Sequence, residues 1–104
     1  MRQGNLDEAV RQLAEAVTLD TNRADFQNDL GFALAAQGKP GEAIPRFTEA
    51  IRLAPGFEAA HYHLGLALAG TGRFHEAVRQ FSDVLRLNPN NERARQALAA
   101  LPKQ

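Results

Sequence analysis

The chain contains no cysteine, which removes disulfides, thiolate metal sites and cysteine nucleophiles together and leaves stability to packing. That lack fits the cytoplasm, the favoured compartment, and the periplasm alike. Neither sign of charge is in excess: twelve Lys and Arg offset twelve Asp and Glu, interspersed along the sequence. Without a concentrated basic footprint no nucleic-acid partner is expected, and without acidic blocks no acidic disordered tail. Long apolar runs are missing as well. Stretches such as Phe32–Ala36 fall far short of the roughly 20 residues that span a bilayer, so no membrane insertion is expected. The opening residues pass directly into an amphipathic, carboxylate-bearing pattern without a secretory apolar core. Serine is nearly absent too: Ser82 stands alone, inside a helical pattern with no turn to present it as a nucleophile.

What is present is a chain of 104 residues, 44% of them hydrophobic, the size and composition of one globular unit with a real core. It repeats with a period of 34: Gly4, Gly38 and Gly72; Glu8, Glu42 and Glu76; Ala9, Ala43 and Ala77; Leu13, Phe47 and Phe81; Leu19, Leu53 and Leu87. A second block follows the same spacing, Leu30-Gly31-Phe32-Ala33-Leu34-Ala35 against Leu64-Gly65-Leu66-Ala67-Leu68-Ala69, with Leu98 in register. The apolar positions run at helical spacing in stripes such as Ala43, Phe47, Ala50 and Ile51. Between these amphipathic helices lie segments near residues 24–37 and 59–70 that are apolar around most of their circumference. Gly38 and Gly72 follow them as stop signals. The remaining junctions carry Pro55 and Pro89, which cannot continue a helix, and Asp20, Asn22, Asn88 and Asn91, whose side chains can accept from the free N–H groups of the next helix. The expectation is an all-α chain of six antiparallel helices. Pro45 falls inside one of them, which predicts a late helix start or a slight kink.

A 34-residue helix-turn-helix period with Leu-Gly in the first helix, Ala and Phe in the second and a closing Pro resembles the tetratricopeptide repeat. Leu30-Gly31, Ala43, Phe47, Ala50 and Pro55 carry the resemblance in one repeat, and Leu64-Gly65, Ala77, Phe81 and Pro89 in the next. It implies a right-handed α-α superhelix over residues 1–104: a second helix in 1–23, full repeats in 24–57 and 58–91, and a first or capping helix in 92–104. Departures are Gln27 and His61 where a large aromatic often stands, Leu34 and Leu68 in place of the usual Tyr, and Val84 in place of Ala.

Catalytic and cofactor chemistry is not expected. His61 and His63 are two residues apart and point away from one another on a helix, whereas shared metal ligands need a spacing of three or four. Asp25 and Asp29 share a face, but an acid–base pair needs a desolvated pocket that drives the two carboxyls apart. Gly38-Lys39-Pro40-Gly41 lacks the preceding strand and the ending of a phosphate loop. Neither a metal nor a cofactor is predicted, and the chain is read as a non-enzyme.

The resemblance instead implies a protein or peptide partner in a concave groove lined by first helices. Carried over by position, that groove holds Asp25, Asn28, Asp29 and Phe32, then Ala59, Tyr62, His63 and Leu66, then Arg93, Gln96 and Ala97. Tyr62 is expected to contribute most, and its replacement by alanine to leave folding intact. One branch of the family grips a C-terminal carboxylate with Lys, Asn and Arg in this groove. Here Asp25, Asp29, Ala59 and His63 occupy those places, which argues against that clamp. The end helices lack their usual partners, leaving Ala9, Leu13 and Ala16 at one end and Leu98 and Leu101 at the other as candidate end-to-end contacts in a homo-oligomer. A regulatory segment of a larger protein is the remaining reading.

Overall fold

The computed structural model describes residues 3–103, which form six helices and no strand. These are α1 (Gln3–Leu19), α2 (Ala24–Ala36), α3 (Pro40–Leu53), α4 (Glu58–Gly70), α5 (Phe74–Leu87) and α6 (Glu92–Ala100). Helices adjacent in sequence pack on one another, most extensively α2 on α3 and α4 on α5. Only α2 and α4 make a substantial contact that skips a helix. Contacts limited to neighbours are the mark of a solenoid.

The sharp turns form as the glycine pattern predicts. At the end of α2 the Gly38 N–H donates to the Ala35 carbonyl at 2.9 Å and the Lys39 N–H to the Leu34 carbonyl at 3.0 Å. Gly72 and Arg73 repeat the arrangement on Ala69 and Leu68 at 3.0 and 2.9 Å. This closure places φ at +83° in Gly38 and +80° in Gly72, where a side chain would clash with its own backbone. Gly4, although in register, lies within α1.

Two other local expectations are corrected. Of the two readings for Pro45 the late start is excluded: α3 begins at Pro40 and runs through Pro45 to Leu53. Pro40 occupies the first turn, where a missing N–H costs nothing, and Pro45 is solvent-facing, so its one absent hydrogen bond is tolerated. Of the junction Asn and Asp residues only Asn91 caps the following helix, accepting from the Ala94 N–H at 3.0 Å. Asp20 and Asn88 accept instead from Asn22 and Asn90 within their own turns.

The core is the predicted stripe. Ala43, Phe47, Ala50, Ala77, Phe81 and Val84 are buried on α3 and α5, against Leu30, Leu34, Leu64 and Leu68 of α2 and α4. A Cβ at Gly31 would stand 2.6 Å from Phe47 Cε1, and one at Gly65 2.6 Å from Phe81 Cε1. Each phenylalanine ring therefore lies directly against the backbone of the facing helix, and only glycine leaves room for it.

A polar feature also repeats. Gln27 Nε2 donates to the Thr21 carbonyl at 3.3 Å, His61 Nε2 to the Pro55 carbonyl at 2.8 Å, and Arg95 Nη2 to the Pro89 carbonyl at 2.8 Å. These three residues are 34 apart, as are the three carbonyls. At the position where the family often places an aromatic ring, this chain ties the helix to the preceding junction by a hydrogen bond. Each of the first two also reaches the adjacent second helix: Gln27 accepts from Arg46, and His61 pairs with the Gln80 amide at 2.8 Å.

Candidate functional site

Helices α2, α4 and α6 form one wall of the solenoid, and the residues predicted to line it fall into three environments. Phe32 and Leu66 are large apolar side chains left 56% and 45% exposed, so they face the groove and not the core. Both occupy the same place in the period, on helices whose opposite faces carry the buried leucines and glycine. The all-round apolar character of α2 and α4 thus serves two surfaces at once.

Phe32 stands between two apolar hollows. One, of about 480 Å³, is bounded by Phe32, Phe47, His63, Leu66, Ala67 and Pro40 among others. The other, of about 260 Å³, lies on the far side of the ring and is bounded by Leu6, Ala9, Leu13, Asp29, Ala33 and Ala36. Ala9 and Leu13 thus border the groove, besides being candidate end contacts. A third and more polar hollow of about 290 Å³ lies between α4 and α6, bounded by Glu58, Ala59, Tyr62, His63, Asn91 and Arg93.

His63 is the centre of the floor. Its ring centroid lies 5.1 Å from Phe32, 5.5 Å from Phe47 and 6.0 Å from Tyr62. Nδ1 donates to Asn28 Oδ1 at 3.0 Å, bridging the two repeats and leaving Nε2 as the acceptor nitrogen. Burial among the rings pushes the imidazole below its ordinary range; the nearby Arg93 acts in the same direction and Asp29 against it. Asn28 is itself buried. It supports His63 from below and does not face the groove opening.

Tyr62 is partly buried, its ring 5.8 Å from that of Phe81. Its removal would therefore disturb the core as well as the groove. Phe32, more exposed, is the cleaner probe of binding.

The two carboxylates of α2 part company. Asp25 is held by Arg23 through bonds of 3.0 and 2.7 Å, which keep its carboxyl below the usual range. Arg23 in turn lies 4.2 Å above the Phe26 ring. Asp29 has no ion-pair partner among the described residues; partial burial and then the charge of Asp25 push its carboxyl above the usual range, opposed by His63. The two are pushed in opposite directions, yet both are exposed. Ala59, Arg93 and Gln96 are exposed, and Ala97 is partly buried. Among the described residues no cluster of three or more His, Cys, Asp or Glu could hold a metal ion, and no helix is long and apolar enough to cross a membrane.

The tetratricopeptide repeat profile matches residues 34–101, and a second profile of the same repeat matches residues 1–38. The chain belongs to the tetratricopeptide repeat family. No curated protein sequence matches it. Among solved structures it resembles MamA, with 28% identity and a TM-score of 0.87 over 89% of this chain and 54% of that one. It also resembles the first repeat domain of Spaghetti (RPAP3) bound to the HSP90 peptide SRMEEVD, with 25% identity and a TM-score of 0.90 over 93% of this chain and 77% of that one. The second such domain of human RPAP3, in complex with the HSP70 peptide SGPTIEEVD, matches with 27% identity and a TM-score of 0.91 over 97% and 84% of the two chains. The chain thus spans about half of MamA and more than three-quarters of the RPAP3 domains. The family is one of protein-interaction repeats, and the all-α solenoid is the fold these relatives share.

Proposed function

We propose that this segment is a peptide-binding module whose α2–α4–α6 groove takes an extended or helical segment of a partner protein with two apolar side chains. The observation that carries this reading is the exposed Phe32 ring between two apolar hollows. An open apolar surface of this kind costs solubility unless a ligand uses it, and hollows on both sides of one ring suit side chains alternating along a segment. Charge sets the polarity of the occupant: Asp29 borders one hollow and Arg93 another. A basic residue beside the first and an acidic residue beside the second would complete the fit.

The relatives bound to chaperone peptides take sequences ending in Glu-Glu-Val-Asp. In this groove Asp29, without an ion-pair partner among the described residues, opposes such a tail, and burial pushes the His63 imidazole toward its neutral form. The proposed ligand is therefore an internal apolar segment with a basic flank, not an acidic C-terminus. Fluorescence anisotropy with a labelled panel tests this directly. Peptides with two apolar residues and a basic flank should bind, and the acidic-tail peptides should bind at least tenfold more weakly; preference for the acidic tails would overturn the assignment.

A further inference from the structure

The two ends of the solenoid match one another. Ala43, Phe47 and Ala50 of α3 and Ala77, Phe81 and Val84 of α5 are at most 1% exposed, each sealed by the first helix of its pair. Their equivalents in α1, namely Ala9, Leu13 and Ala16, are only partly buried. On α6, Ala99 and Leu98 stand where Gly65 and Leu64 seal α5, and Ala99 is exposed. Leu13 and Leu98 pack only partly against the core.

We propose that copies of this chain stack head to tail, α1 of one copy packing on α6 of the next as α3 packs on α2 and α5 on α4. This rests on different surfaces from the groove reading and stands or falls separately. A register shift of three periods brings the two ends together, and at that register three contacts of the internal pairs find complementary counterparts.

The first is steric. Internally, phenylalanine meets glycine with no space for a Cβ. Across the junction the first-helix residue is Ala99, one carbon larger, and the residue facing it is Leu13, smaller than phenylalanine. The excess on one side is met by a reduction on the other.

The second is electrostatic. Within the chain His61 pairs with the Gln80 amide at 2.8 Å and lies 3.9 Å from Asp83. Shifted by one period in α6 and two in α1, the same places are held by Arg95, Gln12 and Glu15. A guanidinium thus faces an amide and a carboxylate, while its bond to the Pro89 carbonyl remains as the counterpart of the His61–Pro55 bond.

The third is at the edge. Glu58 accepts from Asn91 at 2.5 Å; the corresponding pair across the junction is Glu92 with Arg23, an anion with a cation, each of which also holds a partner in its own chain, Arg95 at 2.8 Å and Asp25 at 2.7 Å. Leu101 is extended, at φ −69° and ψ 144°, and ends α6.

Contacts of this kind are heterologous and propagate. Sedimentation velocity across the micromolar range should show the wild-type chain growing with concentration. Arg95→Glu and Glu15→Arg, both at exposed positions, should each place like charges opposite one another and weaken association by about tenfold or more. An equimolar mixture of the two should recover assembly. In alternating copies the carboxylate introduced in one variant meets the guanidinium introduced in the other, and the native pair of Arg95 with Glu15 forms at the junctions between. Circular dichroism checks that each variant is as helical as the wild type; one that is not gives way to Arg95→Asp or Glu15→Lys. A wild-type chain that is monomeric throughout, single variants that assemble as the wild type does, or a mixture that stays monomeric would each overturn the proposal.

Discussion

Replacing Gly65 by alanine tests the packing of the repeat at its tightest point. The added Cβ would stand 2.6 Å from Phe81 Cε1 and 2.9 Å from both Cδ1 and Cζ. Ordinary carbon contacts lie at about 3.5–4.0 Å, so something must move by about 1 Å. The ring has nowhere to go: Phe81 is completely buried and lies 5.8 Å from the Tyr62 ring. Overpacking of this kind costs about 1–3 kcal/mol. Exchanging glycine for alanine inside a helix returns about 1 kcal/mol. The net expectation is a destabilisation of about 1 kcal/mol, lowering the melting temperature of a chain this size by about 4–8 °C. Urea and thermal unfolding followed by circular dichroism read both quantities. The decisive arm is the double variant Gly65→Ala with Phe81→Leu, in which the shorter side chain makes room for the methyl. Its loss should fall short of the summed single losses by about 1 kcal/mol. A Gly65→Ala chain melting at or above the wild type, or strictly additive losses, would refute the close approach.

Truncating Phe47 to alanine removes a ring 1% exposed and enclosed by α2, so unfolding should become easier by about 3–5 kcal/mol, read by the same denaturation. Pro45→Ala should act in the opposite direction. It restores an N–H that can reach the Gly41 carbonyl inside α3, and a gain of up to about 3 kcal/mol in urea unfolding is expected. His63 sets a pH dependence: its folded-state value is lowered by burial, so the unfolded chain binds the proton more readily. Stability should therefore be lost as pH falls below about 6.5 and level off once the folded-state value is passed. The slope of unfolding free energy against pH in that window should be shallower in His63→Gln. Asp29, pushed upward, works with the opposite sign in the carboxylate range below it.

The architecture was legible because its determinants are local and periodic. A glycine that must take a left-handed φ at Gly38 and Gly72, a phenylalanine that must meet a glycine, and prolines at the junctions each recur at the same spacing, and no distant contact is needed to interpret them. Gly4 shows the limit of that logic, since its spacing is right but it lies within α1. The ties from Gln27, His61 and Arg95 to the junction carbonyls were not anticipated, because amide, imidazole and guanidinium share only a donor N–H. Their common spacing of 34 was the available signal. The bond between His63 and Asn28 was out of reach, since it joins residues whose proximity depends on how one repeat is rotated on the next. The groove positions followed from the family resemblance, but which of them stay open to a ligand depends on that same rotation. It leaves Phe32 and Leu66 exposed, buries Asn28 and turns Tyr62 partly toward Phe81.

The central claim is that the apolar floor around Phe32 is a binding surface. The most direct measurement is the affinity of a basic-flanked apolar peptide for the wild-type chain and for Phe32→Ala, by fluorescence anisotropy, with a thermal melt of each. Because Phe32 is 56% exposed, the variant should melt close to the wild type while its dissociation constant rises about tenfold or more, as for an aromatic anchor between two pockets. Equal affinity in two equally stable proteins would contradict the account.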